Sequence, residues 1–299
     1  DLASSLQKAF EEVVIEKINI LADKYKLDNL CLSGGCAFNS SLNGKIISSS
    51  KFKNIYLSPN VGDAGGAIGA ALYFANQKNE KIQFSQNPYL GTHYSNESVK
   101  KSVIDKIKNM KHIHAEYFND FRNLCQKTAS IISKESVVGW FQDKMEWGPR
   151  ALGNRSILGD PRNPMMREII NIKIKKREEF RPFAPAILEE KANDYFNHIN
   201  ETSKFMCSVF DAKEGIKNKI PAVVHIDNSS RVQTVSKKTN LKFYTLIEEF
   251  ENLTSIPIIL NTSLNINEPI CENPENALEI FTKTSMDALI IQNWILTKK

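Results

Sequence analysis

Residues 144–185 read KMEWGPRALGNRSILGDPRNPMMREIINIKIKKREEFRPFAP. Arginine and lysine alternate here with glycine and proline; the cations are Lys144, Arg150, Arg155, Arg162, Arg167, Lys173, Lys175, Lys176, Arg177 and Arg181. Arginine presents paired donors that match phosphate oxygens, and glycine lets backbone N–H groups come close to a ligand. The stretch therefore predicts a site for a polyphosphate or a phosphorylated metabolite.

The alternative interpretation of this stretch is a solvated basic surface, which usually explains a run of charge. Apolar residues interleaved with the cations argue against it, because they are predicted to be buried anchors; they are Trp147, Leu152, Ile157, Leu158, Phe180, Phe183 and Ile187.

Length and composition place the chain among soluble globular proteins. It has 299 residues, enough for two cores, with 41% hydrophobic and 24% charged residues. Its apolar runs are too short to span a bilayer, it opens without a signal peptide, and it lacks an initiator Met. We expect it to begin inside a longer protein, with no membrane partner.

The net charge and the cysteine content indicate which partners and which cellular compartment to expect. The net charge of +5 comes without a basic tail, which argues against nucleic acid. Five scattered cysteines fit no metal or disulfide spacing and predict reduced thiols in the cytoplasm, most of them small core residues. They are Cys31, Cys36, Cys125, Cys207 and Cys271.

Hydrophobic periodicity predicts a first α/β lobe over residues 1–93. Its elements are a helix over 2–26, a strand over 29–32, a helix over 39–47, a strand over 55–57 and a helix over 67–75. Residues 94–117 lose periodicity and are predicted to be a linker.

Alternating segments over residues 118–299 predict a second α/β or α+β domain. Helices are expected at 118–132, 164–176, 241–253 and 274–284. Strands are expected at 137–141, 184–188, 205–210, 223–225, 256–260 and 288–291.

Two glycine-containing turns in the first lobe are candidate ligand sites. Gly34 and Gly35 follow a strand and open a helix, so their N–H groups could face an anion. Asp63 lies in PNVGDAGG and is either a helix cap or a metal or ligand contact. The residues alone favour the cap.

Four ordered motifs resemble the O-carbamoyltransferase family, which includes NodU-type nodulation enzymes and antibiotic-tailoring enzymes. They are LSGGCAFNSSLN with SPNVGDAGGAIGAA, then EWGPRALGNRSIL, KREEFRPFAP and LNTSLNINEPI. The resemblance implies a C-terminal portion that lacks the N-terminal lobe. Residues 1–93 would be the C-terminal lobe of an actin-like (ASKHA) transferase domain, and 118–299 a YrdC-like (threonylcarbamoyl-adenylate synthase-like) domain.

For the first lobe, the resemblance implies nucleotide contacts from Gly34, Gly35 and Asn39, and it reverses the preference at Asp63, which becomes a ligand of an iron-type divalent metal. The family's metal site also needs two histidines on one helix, and no pair in this chain has that spacing. The resemblance thus implies an incomplete transfer site.

For the second domain, the resemblance implies a site for ATP, Mg²⁺ and carbamoyl phosphate. Its phosphate-binding cations are Arg150, Lys175, Arg181 and Arg231, of which the first three are the catalytic candidates, and Asn261 and Ser263 contact the pyrophosphate. Structural roles are expected for Arg155, Arg162, Lys173 and Arg177, as salt-bridge or surface groups. His225 is either a site residue or a satisfied core histidine, and Lys144 stands where the family has arginine.

The resulting functional expectation is a cytoplasmic ATP-dependent O-carbamoyltransferase fragment. It would form carbamoyl adenylate and pass the carbamoyl group to a hydroxyl of a sugar or natural-product acceptor. An uncovered face on the first lobe would favour a homodimer or partial disorder. The alternatives are an RNA-modification-related nucleotide- or RNA-binding protein and a non-catalytic nucleotide-binding module.

Overall fold

The computed structural model describes residues 1–80, 82, 86–108 and 110–298. Residues 1–80 form the N-terminal unit, in which helices flank a two-stranded parallel sheet. Its elements are α1 (Leu2–Tyr25), β1 (Asn29–Leu32), α2 (Ser40–Ser49), β2 (Asn54–Leu57) and α3 (Gly66–Gln77). The order predicted from periodicity is confirmed.

The sheet unit, residues 94–298, is built on one mixed sheet of eight strands in the order β3-β12-β11-β4-β5-β10-β6-β9. The strands are β3 (Ile113–Tyr117), β4 (Val138–Phe141), β5 (Arg155–Gly159), β6 (Ala184–Leu188), β9 (Gln233–Val235), β10 (Ile258–Ser263), β11 (Ala288–Ile291) and β12 (Trp294–Lys298). Among the described strands of this sheet, β4–β11 and β6–β9 pair in parallel and the other neighbours pair antiparallel. Two short strands, β7 (Phe210–Asp211) and β8 (Ser229–Ser230), pair antiparallel in a separate sheet. The predicted mixed α/β class is confirmed.

Side chains on the two faces of this sheet form separate hydrophobic cores. Along β10, Ile258 and Leu260 enter one core and Ile259 enters the other, as the two-residue repeat of a strand requires. The Ile259 face is covered by α4 (Phe121–Ile132) and α5 (Leu241–Thr254). The opposite face is covered by α6 (Pro274–Lys283) and by helical residues 96–107.

The predicted linker at 94–117 is wrong. Three helical segments follow one another there, Asn96–Val99, Lys100–Ile104 and Asp105–Ile107, and β3 then pairs with β12. The middle segment is a π-helix, which shifts the buried face away from a 3.6-residue repeat and hides the pattern. Because β3 belongs to the eight-stranded sheet, residues 94–117 are part of the sheet unit, and the boundary at 93 stays a prediction.

Two predicted strands are also absent from the described structure. Residues 205–210 begin at the end of a 3₁₀ helix, Glu201–Phe205, and include only the first residue of the two-residue β7. Residues 223–225 form a buried turn in which His225 N–H donates to the Ser229 carbonyl. A short apolar run indicates burial, but it does not distinguish a strand from a buried turn.

The two units meet beside the loop that carries the GPRA sequence. Asn43 Nδ2 of α2 donates to the Cys207 carbonyl at 2.7 Å, and Val61 packs in one cluster with Leu152 and Met206. Gly148 has φ of 145°, and a Cβ there would lie 3.1 Å from the Pro59 oxygen. Among the described residues, no helix combines the length and apolarity needed to cross a bilayer.

Candidate anion-binding site

A cavity of about 180 Å³ lies between the loop after Trp147, the segment after the turn at Lys176, and the end of β10. Its lining contains four arginines and no carboxylate. The lining residues are Pro149, Arg150, Ala151, Arg177, Arg181, Pro182, Phe183, Met206, Arg231, Asn261, Thr262 and Ser263. The structure therefore brings together Arg150, Arg181, Arg231, Asn261 and Ser263 of the predicted site.

Arg150 and Arg231 carry charges that no side chain neutralises in the described part of the chain. Neither guanidinium has a hydrogen bond or an ion pair there, and Arg231 Nε is buried without a partner. Burial lowers the pKa of Arg150, and burial with the charge of Arg150 lowers that of Arg231. A guanidinium nevertheless stays protonated at neutral pH. Because a buried charge is costly unless paired, the cavity is arranged to receive an anion.

Arg177 belongs to this lining, although the sequence assigned it a structural role. Its Nε donates to Asn171 Oδ1 at 2.7 Å, and its guanidinium carbon lies 5.1 Å from the centre of the Phe183 ring, another lining residue. Burial, then the charge of Arg181, lower its pKa. A turn at Lys176, with φ of 48°, redirects the chain between Lys175 and Arg177. Spacing along the chain could not reveal that reversal.

Lys175 lies behind the cavity wall and is not one of its lining residues. It is only 1% exposed, and its Nζ donates to Ser263 Oγ at 3.2 Å, to Asn265 Oδ1 at 2.6 Å and to both backbone carbonyls. Burial and the charges of Arg177 and Arg181 lower its pKa to about 7. This ammonium therefore holds the Ser263 side of the cavity in place.

Asn261 and Gln233 connect β10 to the loop that carries Arg150. Asn261 Nδ2 donates to Gln233 Oε1 at 2.7 Å and to the Ala151 carbonyl at 3.2 Å. Gln233 Nε2 in turn donates to the Leu152 carbonyl at 2.7 Å. Gln233 was not among the sequence candidates; it opens β9 two residues after Arg231, and that nearness along the chain was the available signal.

Arg155 and Arg162 have structural roles, as expected, but Arg155 is not a surface or salt-bridge group. It is fully buried, lies 3.6 Å from the centre of the Phe141 ring, and donates to backbone carbonyls. Arg162 pairs with Asp160 at 2.6 Å.

His225 corresponds to the satisfied core histidine. Its Nδ1 lies 3.0 Å from Ser229 Oγ, and it does not line the cavity. Burial lowers its pKa.

The candidate residues of the N-terminal unit lie away from the cavity lining. Gly34 has φ of 94° and its N–H donates to Val61 O, and Gly35 opens a 3₁₀ turn. Asn39 caps α2 by accepting from Leu42 N at 3.0 Å, and its amide also pairs with Gln7. This engagement leaves little of Asn39 for a nucleotide.

Asp63 is exposed at the start of a 3₁₀ turn, Asp63–Gly65, and makes no side-chain cap. Within the described residues, no group of three His, Cys, Asp or Glu side chains could hold a metal ion. The described residues therefore do not fit the divalent metal that the resemblance implies.

Most of the predicted apolar anchors are buried, but Phe180 is 76% exposed, so its assignment as an anchor was wrong. It follows two glutamates in an exposed turn, where no core lies beneath it. Three cysteines are buried, whereas Cys31 and Cys36 are exposed; all five are free thiols.

Comparison with known proteins matches both units. The Carbamoyltransferase N-terminus family matches residues 1–72, and the Carbamoyltransferase C-terminus family matches residues 129–298, which include the whole cavity lining. The chain is 41% identical to the uncharacterized protein sll1178 of Synechocystis sp., covering 100% of this chain and 52% of the relative. It is 37% identical to the nodulation protein NolNO of Sinorhizobium fredii, covering 100% of this chain and 44% of the relative. It thus spans about half the length of these relatives.

Among solved structures, E. coli YciO overlaps 58% of this chain and 80% of its own, with a TM-score of 0.42 and 13% identity.

Proposed function

The chain belongs to the carbamoyltransferase family, and from that premise we propose that its sheet unit forms carbamoyl adenylate from ATP and carbamoyl phosphate. The observation that carries this proposal is the cavity lined by four arginines and no carboxylate. A triphosphate brings several negative charges to a small volume, and guanidinium groups offset that charge, above all those of Arg150 and Arg231, which have no ion pair in the described part of the chain.

The lining residues suit ATP phosphates and an anionic co-substrate side by side. The half-buried Arg150, Arg177 and Arg231 would bind phosphate oxygens in the interior, and Arg181 would bind them at the exposed side. The Ser263 hydroxyl supplies a further hydrogen-bond donor. Because the lining holds no carboxylate, Mg²⁺ would reach the cavity bound to the phosphates of ATP.

In the proposed step, carbamoyl phosphate is first hydrolysed to carbamate and inorganic phosphate. A carbamate oxygen then bonds to the α-phosphorus of ATP, while the bond from that phosphorus to the bridging oxygen breaks. Pyrophosphate leaves with that electron pair. Two anions approach one another in this reaction, so fixed cations lower the barrier both by offsetting repulsion and by stabilising the leaving pyrophosphate.

Transfer of the carbamoyl group to a hydroxyl of a sugar or natural product, with release of AMP, is the second part of the proposal. We derive no step through a metal, because Asp63 has no partner ligands in the described part of the chain. We also propose that the protein acts in the cytoplasm and forms a homodimer.

The test is pyrophosphate release from ATP and Mg²⁺, with and without carbamoyl phosphate. The wild-type chain is expected to release pyrophosphate only when carbamoyl phosphate is present. Arg181→Ala should reduce the rate at least tenfold, because one charged hydrogen bond contributes about 1.5–3 kcal/mol. Lys173→Ala is the matched control, since Lys173 is an exposed cation of the same segment that does not line the cavity.

Two results would contradict the proposal. Pyrophosphate release at the same rate with and without carbamoyl phosphate would indicate a different nucleotidyl-transfer reaction. Tight ATP binding without any pyrophosphate release would identify a non-catalytic nucleotide-binding module.

A further inference from the structure

We propose that Glu146 is a positioning residue that orients Arg150 in the cavity by fixing the backbone of residues 148–155. This inference rests on the proposed function, because it concerns the same cavity. Glu146 is 4% exposed and is not one of the lining residues, so it acts through the loop and not through a ligand.

One carboxylate oxygen gathers the loop's backbone donors. Glu146 Oε1 accepts from Leu152 N at 2.7 Å, from Asn154 N at 2.7 Å and from Arg155 N at 3.1 Å. These N–H groups lie on both sides of Gly153, so the chain is folded around the carboxylate. Hydrogen bonds to a charged acceptor are stronger than neutral ones, at about 1.5–3 kcal/mol each.

Other side chains satisfy the loop's carbonyls. The Leu152 carbonyl accepts from Gln233 Nε2 at 2.7 Å and from Tyr89 Oη at 2.8 Å. The Asn154 carbonyl accepts from Arg155 Nη1 at 2.9 Å. No helix or strand occurs between β4 and β5, so these side-chain contacts add to the few backbone hydrogen bonds of the loop, such as that from Gln142 N to the Asn154 carbonyl at 2.9 Å.

Arg150 needs such support because its own side chain has none. It makes no hydrogen bond or ion pair in the described part of the chain, and Arg231 repels it. A cation under those conditions stays in a cavity only if its backbone is fixed. Preorganisation of this kind improves binding because the ligand does not have to order the loop.

The test is a double-mutant cycle on binding of inorganic tripolyphosphate, measured by titration calorimetry. Glu146→Ala is expected to weaken binding at least tenfold, close to the loss from Arg150→Ala. Because Glu146 acts through Arg150, the double variant should lose no more than Arg150→Ala alone. Glu146→Gln keeps an oxygen acceptor and should recover most of the affinity, to within about threefold of wild type.

Asp160→Ala is the matched structural control. Asp160 is also a buried carboxylate, and it accepts from the Arg162 backbone N–H. It follows the C-terminal end of β5, whereas the loop that Glu146 binds leads into the N-terminal end of that strand. Its loss should lower the thermal midpoint and leave the affinity for tripolyphosphate near that of wild type.

Two results would overturn the inference: wild-type affinity in folded Glu146→Ala, or losses from Glu146→Ala and Arg150→Ala that add in the double variant. If Glu146→Ala does not fold, Gln233→Leu removes a carbonyl contact of the same loop and should give a partial, non-additive loss; full additivity there would overturn it equally. Absence of tripolyphosphate binding by the wild-type protein would instead refute the proposed function, and this inference with it.

Discussion

In the described part of the chain, no side chain neutralises the positive charge of Arg231, and its Nε is buried without a hydrogen-bond partner. Such a group destabilises the ligand-free fold, because a guanidinium loses its hydration and gains no counter-charge. Binding of an anion would remove that penalty. Residues selected for stability alone would not include two unpaired arginines in one cavity.

Replacing Arg231 by methionine separates stability from binding. Arg231→Met is expected to keep or raise the free energy of unfolding, by about 1 kcal/mol, because it removes a buried unpaired charge. It should also weaken ATP binding about 10- to 150-fold, the equivalent of one charged hydrogen bond. Urea unfolding and calorimetry measure the two effects. A variant that is clearly less stable than wild type would show that Arg231 has a structural partner.

Lys175 gives the fold a pH dependence. Its pKa is about 7 in the folded chain and 10.5 in the reference state, so the unfolded chain binds this proton more readily between those values. The contribution of Lys175 to stability should therefore fall as pH decreases from 10.5 to 7 and then level off. The difference in unfolding free energy between wild type and Lys175→Met isolates this effect. A difference that is constant over that range would contradict the shifted pKa.

The sequence identified most of the cavity at this scale. Arg150, Arg181, Arg231, Asn261 and Ser263 were predicted to form one site and do line one cavity. Lys175 was predicted to bind phosphate but is not a lining residue, whereas Arg177 was predicted to be structural and lines the cavity. Neither residue type nor spacing predicts the turn at Lys176. Lys175, before the turn, is buried behind Ser263, and Arg177, after it, lines the cavity.

At the scale of elements, the loop between β4 and β5 is held by its glycines as well as by its side-chain contacts. Gly153 has φ of 100°, and a Cβ there would lie 2.1 Å from the Phe243 ring of α5. The Trp140 indole donates to the Gly153 carbonyl at 2.9 Å. The loop can therefore approach α5 closely only with glycine at this position.

Gly153→Ala is expected to destabilise the protein by more than the strain of a positive φ alone, which is about 1–3 kcal/mol. Gly215→Ala is the matched control, because Gly215 has φ of 77° and open space where a Cβ would lie. Urea unfolding of both variants compares the two losses. Equal losses would mean that the contact with Phe243 is relieved at no cost.

Elements with a clear period were predictable, and those without one were not. The apolar repeats of α1, α4, α5 and α6 and the buried runs of β4, β6 and β11 were recognised, as the structure confirms. Residues 96–107 were missed because a π-helical segment breaks their period. β5 was missed because it contains Arg155, and arginine is not expected in a buried strand. Its burial depends on hydrogen bonds to loop carbonyls, such as that of Gln142, and the sequence does not predict these contacts.

For the whole molecule, the junction between the two units is both apolar and hydrogen-bonded. Asn43 is fully buried, and its Nδ2 donates to the Ala37 and Cys207 carbonyls. Gly44 packs against the Val209 backbone, where a Cβ would lie 2.4 Å from the carbonyl oxygen. These contacts link α2 to the chain segment that supplies Met206 to the cavity.

Asn43→Ala is therefore expected to lower the free energy of unfolding by about 1–3 kcal/mol, since it leaves two buried carbonyls without donors. Asn54→Ala is the control: its Nδ2 donates to Asn29 Oδ1 on the surface, and the expected loss is under about 0.5 kcal/mol. Chemical denaturation monitored by circular dichroism measures both. Equal, small losses would show that the two units are not coupled through Asn43.

The measurement that tests the central claim most directly is calorimetric titration of ATP into the wild-type chain and into the Arg150→Ala/Arg231→Met double variant. We expect a single class of site in the wild type, with affinity that decreases as salt screens the charges. The double variant should bind about 100- to 10,000-fold more weakly while remaining folded, since two charged hydrogen bonds are lost. Unchanged affinity in the double variant would place ATP elsewhere and contradict the assignment of this cavity.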